Sequence, residues 1–146
     1  MVIKKDILIP LEKKCDGNMR LFSELVKVIN EFLPDDPMKT ESELEQKIMS
    51  HLQNRGFNIS SQISKRHDRY DLVCRNINEV VCIELKLRAD ISDIKQFDKY
   101  LPKFKDGLIV VCWQASFSVQ DIFHNVIEQS PVPIALIELS KEYSIA

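Results

Sequence analysis

Two short apolar runs with a polar break between them dominate the hydrophobic pattern of this chain. Residues 69–74 and 80–87 are rich in Val, Ile, Leu and Cys, and residues 75–79 separate them. Apolar, β-branched runs around a short polar break are typical of a β-hairpin. Because the runs are apolar at most positions, we expect both strands to lie in the interior of a sheet, with each face covered.

Residues 18–33 have the pattern of an amphipathic helix with Asn18 as its N-cap. Its apolar residues recur at helical spacing: Leu21, Leu25, Val28, Ile29 and Phe32. The prolines within residues 34–37 end the helix and predict a boundary, with an N-terminal helical arm over 1–38 and a core domain over 39–146. The arm either covers the core or forms a dimer contact, and the pattern does not decide between these roles.

A second helix is predicted to begin after Thr40. Thr40 and Glu43 have the spacing of a capping box, and Gly56 is a natural C-terminal stop. The buried stripe of this helix comprises Leu44, Ile48 and Leu52. The alternation that follows predicts a strand over 57–63.

After the hairpin, helical and strand patterns alternate. Helices are predicted over residues 91–104 and 119–129, and strands over 107–113 and 132–139. A meander followed by parallel strands with covering helices predicts an α/β fold, in which a mixed central sheet carries helices on both faces.

Three charged residues interrupt the apolar runs of the hairpin: Asp71, Glu84 and Lys86. Side chains alternate along a strand, so Glu84 and Lys86 point to the same face, and the hairpin brings Asp71 beside them. Burial of two carboxylates and an ammonium group is costly unless something compensates. A divalent cation would compensate, which makes the patch a candidate metal site, and a structural ion cluster on a half-exposed face is the alternative.

Mg²⁺ prefers carboxylate and water ligands, which suits Asp71 and Glu84, and Mn²⁺ is the other candidate. Such a metal polarises a phosphate and makes a bound water more acidic. Lys86 would then position the attacking water or stabilise the charge that develops on the phosphate.

The order of these residues resembles a known motif. Asp71, twelve residues and then Glu84-Leu85-Lys86 is similar to the motif of the PD-(D/E)XK, or restriction-endonuclease-like, nuclease superfamily. The resemblance implies a restriction-endonuclease-like core, metal ligation by Asp71, Glu84 and the Leu85 carbonyl, and Lys86 as the catalytic lysine. Tyr70 stands where the superfamily has the proline of its name.

The resemblance also implies a catalytic acid from the preceding helix. Residues 45–57 resemble the helix-to-strand entry of archaeal Holliday-junction resolvases, which assigns that role to Glu45. Glu41, one helical turn earlier on the same face, is the alternative. No basic segment like that of the resolvases follows Lys86, so the resemblance implies the superfamily chemistry without junction specificity.

Two further groups of residues are candidates for nucleic-acid contacts. Gln96 and Tyr100 resemble the QxxxY element that follows the catalytic lysine in many members, and they share one helix face. An ordinary amphipathic helix is the alternative. The basic residues Lys65, Arg66 and Arg69 precede the hairpin and would bind phosphates, although such a run is often only a solvated face.

Composition restricts the class of protein. The 146 residues suit one domain, and 45% hydrophobic with 29% charged residues is typical of globular proteins. The net charge of −2 argues against bulk nonspecific binding of nucleic acid, but it does not exclude a local basic face. No apolar run approaches the roughly 20 residues needed to cross a bilayer, and no signal-peptide pattern is present, so we expect a cytoplasmic protein.

These patterns favour a metal-dependent nuclease that hydrolyses phosphodiester bonds in nucleic acid, with DNA as the preferred substrate. A homodimer that forms through the N-terminal helix is a candidate assembly. The alternative function is a catalytically silent nuclease-fold module, which binds DNA or supports assembly in a repair, restriction or mobile-element system. The acidic net charge and the small size favour that module slightly.

Overall fold

A computed structural model describes part of the chain: residues 6–8, 20–61, 72–89, 106–116, 121–123, 125–126, 130 and 132–140. Its elements are β1 (Asp6–Leu8), α1 (Arg20–Asn30), α2 (Glu41–Gln53), β2 (Ile59–Ser61), β3 (Leu72–Arg75), β4 (Val80–Ala89), β5 (Leu108–Ala115) and β6 (Ile134–Glu138). Residues 121–123 and 125–126 are also helical, within the predicted helix 119–129. The predicted helix 91–104 lies outside the described residues.

The ten-residue strand β4 joins the two halves of the sheet. Six strands follow the order β1-β6-β5-β4-β3-β2. A tight turn connects β3 to β4, so these strands pair antiparallel, and β2 extends this meander. Longer connections lead to β5 and β6, which continue the sheet in parallel, and β1 closes its far edge antiparallel to β6. The sheet is mixed, as the sequence predicts.

Alternation along β4 divides the core between the two faces of the sheet. Ile83 and Leu85 pack in one cluster with the apolar residues of α1 and α2, and we call this the front face. Cys82 packs in a second cluster with Val110 and with Phe123 of the helical segment, and we call this the back face. Helices therefore cover both faces, which confirms the predicted architecture.

Local sequence signals determine both ends of α2. The hydroxyl oxygen Oγ1 of Thr40 accepts a hydrogen bond of 3.1 Å from the amide of Glu43, which confirms the predicted N-cap. After the last turn Gly56 has a φ of +89°, and the amide of Phe57 donates to the carbonyl of Leu52 at 3.2 Å. This arrangement needs a residue that adopts the left-handed region, as glycine readily does.

The helix α1 packs directly on the front face of the sheet. Its buried apolar residues are Leu21, Phe22, Leu25, Val26 and Ile29. The carboxylate of Glu79, in the turn before β4, accepts a hydrogen bond of 3.1 Å from the amide of Leu21 at the start of the helix. The apolar stripe of α1 therefore covers the core and is not exposed for a dimer contact, while the predicted boundary near residue 38 stays a prediction.

Candidate functional site

Glu84 and Lys86 lie two residues apart on the central strand, where alternation directs both side chains to the back face. Glu84 is 3% exposed, although it carries a carboxylate. The Nζ atom of Lys86 lies 3.9 Å from its Oε1 atom, and the Lys86 side chain is 23% exposed. The pair therefore combines a buried carboxylate with an ammonium group that solvent can still reach.

The carboxyl end of β4 extends beyond its hairpin partner. The described pairing with β3 ends at Leu72 and Ile83, whereas β4 continues to Ala89. The amide of Cys82 donates to the carbonyl of Gly107 on the β5 side. Because backbone groups alternate in direction along a strand, the amides and carbonyls of the odd-numbered residues point the other way, toward the β3 side.

Glu41 contacts β4 directly after Lys86. The Oε2 atom of Glu41 accepts a long hydrogen bond of 3.4 Å from the amide of Leu87, which is one of the groups on the β3 side. Glu41 opens α2, so a helix on the front face brings this carboxylate to the edge of the central strand.

Glu45 lies one helical turn later and contacts a different strand. Its Oε1 atom accepts a hydrogen bond of 2.7 Å from the hydroxyl of Ser61 at the end of β2. Ser61 pairs in register with Leu72, the first residue of β3, and Asp71 precedes Leu72 in sequence. The two candidate helix acids therefore approach different strands, Glu41 the central strand β4 and Glu45 the edge strand β2.

Comparisons with known proteins identify the fold. No family model matches the chain, and no curated protein matches it. A crystal structure of free BglII aligns with 93% of this chain and 79% of its own, with a TM-score of 0.52 and 17% sequence identity. The restriction endonuclease BglII complexed with a DNA 16-mer aligns with 93% of this chain and 76% of its own, with a TM-score of 0.55 and 16% identity.

The chain has a restriction-endonuclease-like fold. The likeness covers nearly the whole chain, so it extends well beyond the segment around the motif. Identities of 16% and 17% show a shared fold alone, and they leave the roles of individual residues to be argued from the geometry.

Several of the site residues that the sequence predicts lie outside the described residues. They are Asp71, Gln96, Tyr100, Lys65, Arg66 and Arg69. Within the described ranges, no group of three His, Cys, Asp or Glu side chains is arranged to hold a metal ion. The described part of the predicted metal site is therefore Glu84 with its neighbours on β4 and α2.

A buried carboxylate that sequence reasoning missed lies on the same face of the fold. Glu138, on β6, is 5% exposed, and its Oε2 atom accepts a hydrogen bond of 2.7 Å from the amide of Ala115. Register places Lys86, Cys112 and Glu138 in one row across three parallel strands. Glu138 follows four apolar residues, and its place in the row with Lys86 depends on strand pairings that no local pattern predicts.

The described cysteines are buried in the sheet and are thiols outside any disulfide: Cys74, Cys82 and Cys112. Burial raises the pKa of the Cys74 thiol from an ordinary value of 9.0 to about 11. A protonated, inaccessible thiol is a poor metal ligand and a poor nucleophile, so Cys74 is part of the core. No helix in the described ranges is long and apolar enough to cross a membrane.

Proposed function

We propose that this protein is a metal-dependent nuclease that hydrolyses phosphodiester bonds in DNA. The observation that carries the proposal is the pair formed by Glu84 and Lys86 on the central strand of a restriction-endonuclease-like fold. A carboxylate only 3% exposed is unfavourable in a sheet without a catalytic or binding role, and Lys86 lies 3.9 Å away on the same face.

The donor set suits a hard divalent cation. The carboxylate of Glu84 and the carbonyl of Leu85 are oxygen ligands of the kind that Mg²⁺ or Mn²⁺ prefers, and Asp71 would add a second carboxylate. A bound Mg²⁺ would supply Lewis-acid polarisation of the phosphate and a more acidic water. Glu84 and Asp71 would hold the cation against the back face of the sheet.

Lys86 provides a positive charge where negative charge develops on the phosphate. Its ammonium group carries three N–H donors, which can bind a phosphate oxygen and orient an attacking water. The neighbouring Glu84 carboxylate keeps this ammonium group near the proposed cation site. Lys86 therefore acts in electrostatic stabilisation and positioning, whereas Glu84 acts in metal binding.

We propose Glu41, the alternative helix acid, ahead of Glu45. The Glu41 carboxylate bonds to the amide of Leu87, the residue directly after Lys86, whereas the Glu45 carboxylate bonds to Ser61 on the edge strand. A carboxylate near Lys86 is well placed to orient a water or a metal ligand. Glu45 would then support the end of the edge strand β2.

DNA is the proposed substrate because one of the matched structures is a restriction endonuclease in complex with a DNA 16-mer. We propose that Gln96, Tyr100 and the basic residues Lys65, Arg66 and Arg69 contact the nucleic acid. The polar and cationic groups of these residues suit phosphates and base edges.

The test compares the wild type with Glu84→Ala on labelled single-stranded, duplex and branched DNA and RNA, in Mg²⁺, Mn²⁺ or EDTA. Cleavage that requires the metal and disappears in Glu84→Ala is the expected result, because the variant loses a metal ligand. Circular dichroism of both proteins verifies that the variant is folded.

Two outcomes contradict the proposal. Cleavage by Glu84→Ala at the wild-type rate would remove Glu84 from the site. A folded wild type that binds DNA but cleaves none of the substrates in either metal would instead favour the catalytically silent binding module.

A further inference from the structure

Arg88 and Gln114 form an adjacent pair at the open end of the proposed site. Arg88 lies on β4 two residues beyond Lys86, near the end of the strand. It pairs in register with Gln114 on the parallel strand β5, and both side chains are exposed. Neighbouring strands lie about 4.8 Å apart, which brings the two side chains within reach of one ligand group.

Burial decreases along the even-numbered positions of β4. Glu84 is 3% exposed, the Lys86 side chain is 23% exposed, and Arg88 is exposed. The same change occurs on β5, where Cys112 is buried and Gln114 is exposed. The two parallel strands therefore become accessible to solvent toward their carboxyl ends, where ligands commonly bind in α/β proteins.

The two side chains have the chemistry of a phosphate-binding pair. An arginine guanidinium offers five N–H donors in a planar fork, which fits two phosphate oxygens at once. The side-chain amide of Gln114 adds two further N–H donors. In the part of the chain that the structure describes, no hydrogen bond or ion pair occupies the Arg88 guanidinium.

We propose that Arg88 and Gln114 bind the phosphate next to the one that is cleaved. This inference rests on the proposed function. Two residues along a strand span about 6.6 Å, so Arg88 lies one step outward from Lys86. A nucleic-acid strand carries one phosphate per nucleotide, and a strand whose scissile phosphate meets Lys86 would extend a neighbouring phosphate toward Arg88.

The test measures binding in a background that does not depend on cleavage. Glu84→Gln serves as the parent, and its affinity for a short labelled DNA duplex is measured in EDTA at several salt concentrations. Adding Arg88→Gln should weaken binding about tenfold, because a charge-assisted bidentate contact is lost. The slope of log K against log salt should fall by about 0.9, the value for one phosphate contact on duplex DNA.

Arg20→Gln in the same parent is the matched control. Arg20 is exposed, carries the same charge and pairs with Glu24 on α1. It should leave both the affinity and the salt slope unchanged. Gln114→Leu should weaken binding without a change in slope, because it removes donors but no charge, and it tests the pair independently of Arg88.

Three outcomes overturn the inference. Arg88→Gln and Gln114→Leu could both leave binding unchanged, Arg20→Gln could lower the slope as much as Arg88→Gln, or the parent could fail to bind the duplex. The proposed function fails separately, when the wild type cleaves no nucleic acid in Mg²⁺ or Mn²⁺. Arg88-dependent binding without wild-type cleavage would support the phosphate contact in a binding module.

Discussion

At the scale of single residues, two carboxylates near the proposed site accept hydrogen bonds from backbone amides. Glu41 accepts from Leu87, and Glu138 accepts from Ala115, each near the carboxyl end of a parallel strand. Amides at the ends of strands lack a ladder partner, and a carboxylate that accepts from them satisfies an otherwise unpaired donor. The acidic groups near the site therefore support the strands as well as the proposed chemistry.

Substitution of the two helix acids should separate their roles. We expect the cleavage rate of Glu41→Gln to be at least tenfold lower than that of Glu45→Gln, because Glu41 contacts β4 beside Lys86. Single-turnover cleavage of one substrate by both variants measures the difference. A larger loss in Glu45→Gln would return the role to the acid that the sequence resemblance favours.

The buried thiol of Cys74 should make stability depend on pH in the alkaline range. Below pH 9.0 the thiol is protonated in both states, and between pH 9.0 and about 11 the unfolded chain loses its proton while the folded protein keeps it. The free energy of unfolding should therefore fall over this window, by about 3 kcal/mol at most from this residue. Urea denaturation at both ends of the window, with Cys74→Ala as a control that reduces the fall, measures the effect.

The sequence predicts the central pair but not all of its surroundings. Glu84 and Lys86 are identifiable because charges stand out within an apolar strand and because strand periodicity assigns them to one face. Glu138 and the Arg88–Gln114 pair depend on the register between β4, β5 and β6, which forms between residues far apart in sequence. Local patterns contain no information about that register.

At the scale of elements, the contact between α1 and β5 fixes the helix on the sheet. Gly107 precedes β5 with a φ of +137°, and a Cβ atom there would lie 2.5 Å from the Cδ1 atom of Phe22. The ring of Phe22 therefore occupies the space that a side chain at position 107 would need. This close approach requires glycine for two reasons, the backbone conformation and the packing.

Alanine substitution at Gly107 and at Gly56 should separate the effect of backbone conformation from the effect of packing. Gly107→Ala should lower the free energy of unfolding by about 3 kcal/mol, because it adds a steric clash to backbone strain. Gly56→Ala is the control, since φ there is +89° but nothing lies within 4 Å of the added Cβ, and about 1 kcal/mol is expected. Urea titrations measure both, and equal losses would exclude the clash with Phe22.

Elements whose ends depend on neighbouring residues in sequence were predictable, whereas the pairing of distant strands was less predictable. The cap at Thr40, the stop at Gly56 and the hairpin around residues 75–79 depend on neighbours in sequence, and the structure confirms them. The sequence also indicates a mixed sheet with helices on both faces. The pairing of β1 with β6 was not predicted, because strands from opposite ends of the chain meet only in the folded sheet.

At the scale of the whole molecule, the buried carboxylate of Glu84 serves the proposed chemistry at a cost in stability. Glu84 is almost inaccessible, whereas water still reaches Lys86, so the two residues should respond differently to substitution. Removing a buried charge relieves desolvation, but removing its partner withdraws a compensating charge. The restriction-endonuclease-like fold would then tolerate this pair for its chemistry rather than for its stability.

Two variants test that asymmetry without any assay of cleavage. Lys86→Met should lower the free energy of unfolding by about 3 kcal/mol, because the Glu84 carboxylate loses the ammonium group that lies 3.9 Å from it. Glu84→Gln should leave the free energy of unfolding unchanged or raise it, since Lys86 stays hydrated. Chemical denaturation of both proteins decides the matter, and greater destabilisation by Glu84→Gln would show that the pair mainly supports the fold.

The position of β4 between an antiparallel and a parallel neighbour has a consequence for the order of folding. Its pairing with β3 closes a short turn, whereas its pairing with β5 requires residues far along the chain and a larger loss of loop entropy. We expect the hairpin to form in the folding transition state and β6 to dock later. Stopped-flow kinetics should show that Val81→Ala slows folding, whereas Ile137→Ala mainly accelerates unfolding. The strand that carries Glu84 and Lys86 would then acquire its local geometry before the parallel half of the sheet assembles around it.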